Sequence, residues 1–196
     1  MRTNKNAEMG MGTLIVFIAL ILVAAVAAGV LISTTGALQN KALATGKATT
    51  AQVGTSIEAI ELFAEDAETD NEVDYFYQTV KLSSGSDDLR FSDVLLTLTL
   101  NDESQNYAYD SDIDCDNSSS MSQSEFGVKY QIAASVGHQA GYLVKGDVAQ
   151  ICIESPRSVG ESERVRTTII PRVGTPLVVD TRMPDLMVSM RISVYP

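Results

Sequence analysis

The stretch Glu8–Ile32, EMGMGTLIVFIALILVAAVAAGVLI, decides how the rest of the chain is read. No charged side chain occurs from Met9 to Asn40, and the nineteen residues from Leu14 to Ile32 are all apolar, Ala or Gly. As a helix, such a run rises about 28 Å, close to the roughly 30 Å hydrocarbon core of a bilayer. Three fates are open to it. It is a secretion signal to be removed, an anchor that stays in a membrane, or a helix that exchanges the membrane for another apolar setting.

A secretion signal has a basic start, a short apolar stretch and small residues at its cleavage site. Arg2 and Lys5 supply the start, and Ala24, Ala25, Ala27 and Ala28 imitate the site. The pattern does not stop there, however. Leu38, Ala42, Val53, Ile57, Ile60 and Phe63 or Ala64 follow at steps of three, four or their sums, which predicts one helix continuing to residue 65. A discarded signal has no reason to run on in this way. An anchor accounts for the run and places Arg2 and Lys5 in the cytoplasm by the positive-inside tendency. It accounts less well for Ala24, Ala25, Ala28, Gly29 and Ser33, small side chains at four-residue spacing that let helices approach closely. Gly36, Gly46 and Gly54 recur beyond them, each costing a helix about 1 kcal/mol relative to Ala.

The remaining composition narrows the function. At 196 residues the chain has room for one ordinary domain plus an appendage. Its net charge is -11, and between Glu61 and Glu125 seventeen acidic residues face two basic ones, Lys81 and Arg90. That balance argues against a nucleic-acid partner, whose phosphates need a basic patch, and suits a solvated outer surface. None of the five prolines falls before Pro156, so nothing interrupts an N-terminal helix.

Beyond about Asp66 the apolar period changes from 3.6 to 2. VDYFYQTVKLS, DVLLTLTLND, SQNYAYD, FGVKYQIAAS, GYLVKGDVAQICIES, ERVRTTIIPRV, TPLVVDT and LMVSMRISVY alternate, with turn-formers such as SSGSDD between them. Around eight strands without a helical interlude predict an antiparallel β-sandwich of immunoglobulin-like shape, so the fold class is α+β.

This region offers no catalytic constellation. His138, the single histidine, lies in a predicted surface turn, which excludes a multi-histidine metal site. Asp110, Asp112, Asp114 and Asp116 alternate in YDSDIDCDNSSS, as an oxygen-rich calcium loop or a solvated acidic loop would. Neither EF-hand register puts Gly at position 6 or Glu at position 12, which favours the solvated loop. Asn117-Ser118-Ser119 is an N-glycosylation sequon in the same stretch. Cys115 and Cys152 are an even pair, either a disulfide worth roughly 3 to 4 kcal/mol by loop entropy or two unrelated thiols.

The segment Gly10 to Val53, GMGTLIVFIALILVAAVAAGVLISTTGALQNKALATGKATTAQV, resembles the N-terminal helix of the archaeal flagellins, or archaellins. Ile169 to Asp185, IIPRVGTPLVVDTRMPD, is similar to the closing strands of that family. The resemblance implies a structural subunit of the archaeal swimming filament rather than an enzyme. It implies a basic leader cut by a prepilin-type peptidase at the processing motif of Lys5, Gly10, Gly12 and Thr13. The family register puts the cut between Ala7 and Glu8, although Ala7 stands where a glycine is usual and Asn6 where a basic residue is. The alternative is Gly10/Met11. The domains are then a leader at 1–7, a helix at 8–65 and a sandwich at 66–196. Glycosylation of Asn117, a homopolymeric filament, the archaellum assembly and motor machinery and an extracellular location follow from the same resemblance. So does a precursor in the cytoplasmic membrane. An adhesive type IV pilin, a single-pass surface binding module and an extracellular enzyme are the rival readings.

Overall fold

The computed structural model describes residues 5–65, 72–187 and 189–196, with the backbone alone described at 5–8. It divides into two units, residues 1–49 and 50–196.

Helix α1 spans Lys5–Gly54 without a break. Its length and its apolar composition from Met9 onward suffice to cross a membrane. Every side chain from Met9 to Thr50 is exposed. The hydroxyls along it turn back on the backbone: Thr13 Oγ1 donates to the Gly10 carbonyl at 3.0 Å and Thr34 Oγ1 to the Val30 carbonyl at 2.9 Å. Both the helix backbone and these side chains are therefore satisfied without water, which an apolar environment demands.

The helix ends eleven residues earlier than its periodicity predicts, since residues 57–65 form strand β1 (Ile57–Glu65). The helical spacing predicted here is misleading, because IEAIELFAE satisfies a helical stripe and equally a strand with both faces partly covered. Pairing decided it. Strand β1 is hydrogen-bonded on one side to β2 (Val73–Leu82) and on the other to β11 (Arg191–Tyr195). These long-range ladders outweigh local propensity.

The joint between helix and strand lies within the second unit. Thr55 is buried, and its carbonyl accepts from Thr175 N at 3.0 Å. Ser86, in the predicted SSGSDD turn, accepts from Ser56 N at 3.0 Å and donates to the Ser56 carbonyl at 3.0 Å.

The remaining strands are β3 (Leu89–Arg90), β4 (Val94–Thr99), β5 (Ser104–Tyr109), β6 (Glu125–Ile132), β7 (Tyr142–Leu143), β8 (Val148–Val159), β9 (Arg164–Pro171) and β10 (Leu177–Arg182). Nine of the eleven described strands follow one another in the order β10-β9-β4-β5-β6-β8-β2-β1-β11, while β3 and β7 form a short ribbon. The nine make two antiparallel layers, β10-β9-β4-β5 and β6-β8-β2-β1-β11. The layers are joined by one parallel pair, Ala108↔Glu125 and Tyr109↔Phe126. A parallel pair requires a long crossover, and residues 110–124 supply it.

One core fills the space between the layers. Leu62, Phe76, Phe126, Ile151 and Ile153 from one layer pack in the same cluster as Leu96, Leu98, Tyr107, Ile169 and Val179 from the other. The predicted α+β class, a long helix followed by a mostly antiparallel sandwich, is the observed architecture.

Candidate functional site

Two features carry the chemistry that the sequence singled out: the bare helix and the crossover laid over the outer face of the larger layer.

On α1, the small residues Ala24, Ala25, Ala28, Gly29 and Ser33 are exposed, and a Cβ added at Gly29 would meet nothing within 4 Å. Leu14, Ile15, Phe17, Leu20, Ile21, Leu22 and Val23 are each more than half exposed. Such a surface is stable only when lipid or other apolar helices cover it. Gly10 and Gly12, members of the processing motif that the resemblance implies, are helical. With no positive φ at either position, they follow the helix like their neighbours. Thr13 is capped onto Gly10 as described. Lys5, Ala7, Glu8 and Met11 lie in the helical backbone, and Arg2 lies outside the described residues.

The crossover is held down along its length. Its residues alternate, with Ile113 and Cys115 buried against the sheet while Asp112, Asp114 and Asp116 face solvent. Cys115 and Cys152 are joined as a disulfide, with Cα atoms 5.6 Å apart. Ile113, Cys115 and Met121 cover Phe63, Tyr77 and Cys152 on the face opposite the main core. There the rings of Phe63 and Tyr77 stack at 5.0 Å, and the Arg191 guanidinium lies 3.4 Å above the Phe63 ring. Burial first, then the Glu65 carboxylate, pushes the Tyr77 phenol up to about 12. Gly127 makes the close approach feasible, because a Cβ there would sit 2.6 Å from Ile113 Cγ2 and 3.0 Å from Cys152 Sγ. Sequence reading passed over Gly127, although a lone glycine inside FGVKY is a recognisable sign that something crosses closely above a strand.

The acidic side chains are spent locally. Asp110 Oδ1 accepts from Asp112 N at 2.9 Å, Asp114 Oδ1 from Asp116 N at 3.0 Å, and Asp116 pairs with Lys129 Nζ at 2.5 Å. Among the described residues no group of three or more His, Cys, Asp or Glu side chains is arranged to hold a metal ion, so these four aspartates are not brought to one centre. Their alternation is the solvent side of a two-sided segment. Asn117 is exposed at the tip, with Oδ1 accepting from Ser119 N at 3.1 Å.

His138 is exposed in a loop, as its sequence context predicts, but its ring is engaged. Nδ1 lies 3.2 Å from Oδ2 of Asp147, whose side chain is fully buried and also accepts from Ala134 N at 2.6 Å and Val144 N at 3.2 Å. The pair closes the loop between β6 and β8 and joins no nucleophile. A second unanticipated network ties Arg157 on β8 to Asp102 and Glu163. The Arg157 guanidinium holds both carboxyls below their usual range.

Residues 7–181 match the family model of the archaeal-type flagellin. Flagellin B2 of Methanocaldococcus jannaschii is 32% identical over 204 residues, covering 95% of this chain and 93% of that protein. Flagellin A2 of Halobacterium salinarum is 45% identical over 89 residues, 45% of each chain. Among solved structures, archaeal flagellin FlaB1 of Methanocaldococcus jannaschii superposes with a TM-score of 0.64 at 18% identity, covering 71% of this chain and 96% of that one. A chain of the archaeal flagellum of Methanospirillum hungatei superposes with a TM-score of 0.67 at 15% identity, covering 95% and 99%. The chain belongs to the archaeal-type flagellin family and is a structural subunit of the archaeal flagellum filament.

Proposed function

We propose that the chain is made as a membrane-inserted precursor and becomes, after removal of residues 1–7, a non-enzymatic filament subunit that polymerises through α1. The observation that carries this reading is the run Leu14–Ile32, uncharged and uncovered along its whole length. The precursor spans the cytoplasmic membrane with Arg2 and Lys5 inside and the sandwich outside. A prepilin-type peptidase cuts between Ala7 and Glu8. The assembly machinery then moves the helix from lipid to a bundle of identical helices. An α-helix keeps its backbone hydrogen bonds in either setting, so the exchange costs little polar desolvation. A repeated contact whose rotation does not close gives an open polymer. The sandwich faces water with its acidic crossover, Asn117 carries a glycan, and motion comes from a separate motor.

Mass spectrometry of filaments sheared from cells tests the proposal. The expected mature N-terminus is Glu8, with additional mass on the peptide containing Asn117 that Asn117→Gln abolishes. Filament subunits that retain Met1 would defeat the processing step.

A further inference from the structure

The two ends of the smaller layer carry different apolar surfaces. Where β4 and β9 meet, Leu95 and Ile170 are directly paired and each about two-fifths exposed. With Tyr109 and Pro171 they line an open groove of about 520 Å³, and Arg172 forms part of its wall. Its guanidinium is largely solvent-exposed, and its ion-pair partner among the described residues is Asp93 at 4.0 Å, which lines the same groove. This is the end of the sandwich that also holds Thr55, since Arg172 N donates to the Asp93 carbonyl and Thr175 N to the Thr55 carbonyl.

At the other end residues 184–186, which follow β10, form a projection. Met183 and Met187 are buried in the core beneath it, while Leu186 and Met190 are 76% and 77% exposed. Its base is fixed, because Met183 N donates to the Glu163 carbonyl at 2.8 Å and Ser162 Oγ donates to Asp185. The projection therefore presents Leu186 from a braced backbone, with the Asp185 carboxylate beside it.

We propose that the projection of one subunit, Leu186 with Asp185, docks into the Leu95–Ile170 groove of the next copy, with Asp185 facing Arg172. The occupant is a second copy of this chain for two reasons. The Asp185 carboxylate on the projection is opposite in charge to Arg172, which is more exposed than Asp93, the other charged group lining the groove, and the surfaces lie at opposite ends of one domain. A contact between two different patches of the same molecule is head-to-tail and leaves the polymer open, whereas a self-complementary patch stops at a dimer. This inference rests on the filament reading and adds to it. The sandwiches then form continuous strings outside the helix bundle, and part of the filament's cohesion does not depend on α1.

The test is a cysteine pair in full-length subunits assembled by cells. Filaments of the double variant Leu186→Cys with Ile170→Cys, treated with a short bis-maleimide, should yield a ladder of dimers, trimers and higher species on a denaturing gel. Each single variant should stay monomeric, because each contact then has only one thiol. Filaments of the double variant without a ladder overturn the docking while leaving the filament reading intact. Dimers from either single variant also overturn it, since they report a self-complementary contact. If the double variant does not assemble, the charge pair decides instead. Asp185→Arg and Arg172→Asp should each shorten the filaments and restore their length when combined, and full-length filaments from both singles overturn the inference.

Discussion

Tyr107 Oη donates a 2.6 Å hydrogen bond to the backbone carbonyl of Glu154, from β5 in one layer of the sandwich to β8 in the other. The ring is fully buried, and burial, with the Glu154 and Glu103 charges beyond it, holds the phenol well above its ordinary range. The bond therefore persists across the physiological pH scale and ties the layers beside the parallel β5–β6 pair that joins them. Tyr107→Phe keeps the ring and strands the carbonyl, at a cost of about 1 to 2 kcal/mol. A thermal melt of the detergent-solubilised subunit should fall by roughly 2 to 4 °C for each kcal/mol lost. An unchanged melting temperature would show that the carbonyl finds another donor.

Gly127 and the disulfide make separable contributions to the crossover. Gly127→Ala pushes Ile113 and the disulfide sulfur off the sheet, an overpacking that costs roughly 1 to 3 kcal/mol. Replacing Cys115 and Cys152 together by Ser frees a loop whose ends are separated by 37 residues and costs roughly 3 to 4 kcal/mol by loop entropy. Limited proteolysis reads both, since cleavage between residues 110 and 124 should be faster in each variant than in the parent. Equal cleavage rates would mean that the crossover is held by Met121 and the Asp116–Lys129 pair instead.

The helix and the strand-rich region were legible because each depends on pattern over many residues. The end of the helix was not. IEAIELFAE carries both periods, and its state depends on β2 and β11, partners that come later in the chain. The parallel β5–β6 pair was also hidden, because alternation says which face a residue occupies and nothing of strand direction. The four aspartates illustrate the converse. Their spacing admitted a ligand set or a solvated loop and favoured the loop, and with Ile113 and Cys115 buried between them it describes a segment with one wet and one dry side. Asp147 gave no signal at all. Its burial is visible only once the loop from Ala134 to Val144 closes on it.

Gly174 is required where the chain leaves α1 and enters the sandwich. Its φ is +121°, and a Cβ there would lie 2.5 Å from the Thr55 carbonyl oxygen, which already accepts from Thr175 N. Both the backbone conformation and the contact exclude a side chain. Gly174→Ala should cost roughly 1 to 3 kcal/mol from conformation alone, and more from displacing a backbone atom. Gly29→Ala provides the contrast, since a methyl there meets nothing within the chain. The expected outcome is a lowered melting temperature for the first variant and an unchanged one for the second, measured on solubilised subunits. Equal melting temperatures would show that the Thr55 joint yields without cost.

Arg157 sets how the sandwich responds to acid. Its hydrogen bond, with a smaller contribution from its charge, lowers the Glu163 carboxyl from the ordinary value of 4.5 against partial desolvation, and Glu163 is half-buried. A carboxyl lowered in the folded state contributes stability that is present above its unfolded value and is lost as pH falls through the lower, folded one. The parent should therefore lose this contribution progressively below about pH 4.5. Solvent reaches the pair, so about 1 kcal/mol is the appropriate scale. Arg157→Gln should be less stable at pH 7, and its stability should fall less steeply between pH 4.5 and the acid extreme. Asp180, lowered by Arg164 and Arg166, and Glu58, lowered by Ser83 and Lys81, would contribute to the slope that remains. Urea titrations of parent and variant across this range read both effects. Parallel stability curves, offset by a constant, would show that Arg157 acts through packing rather than through charge.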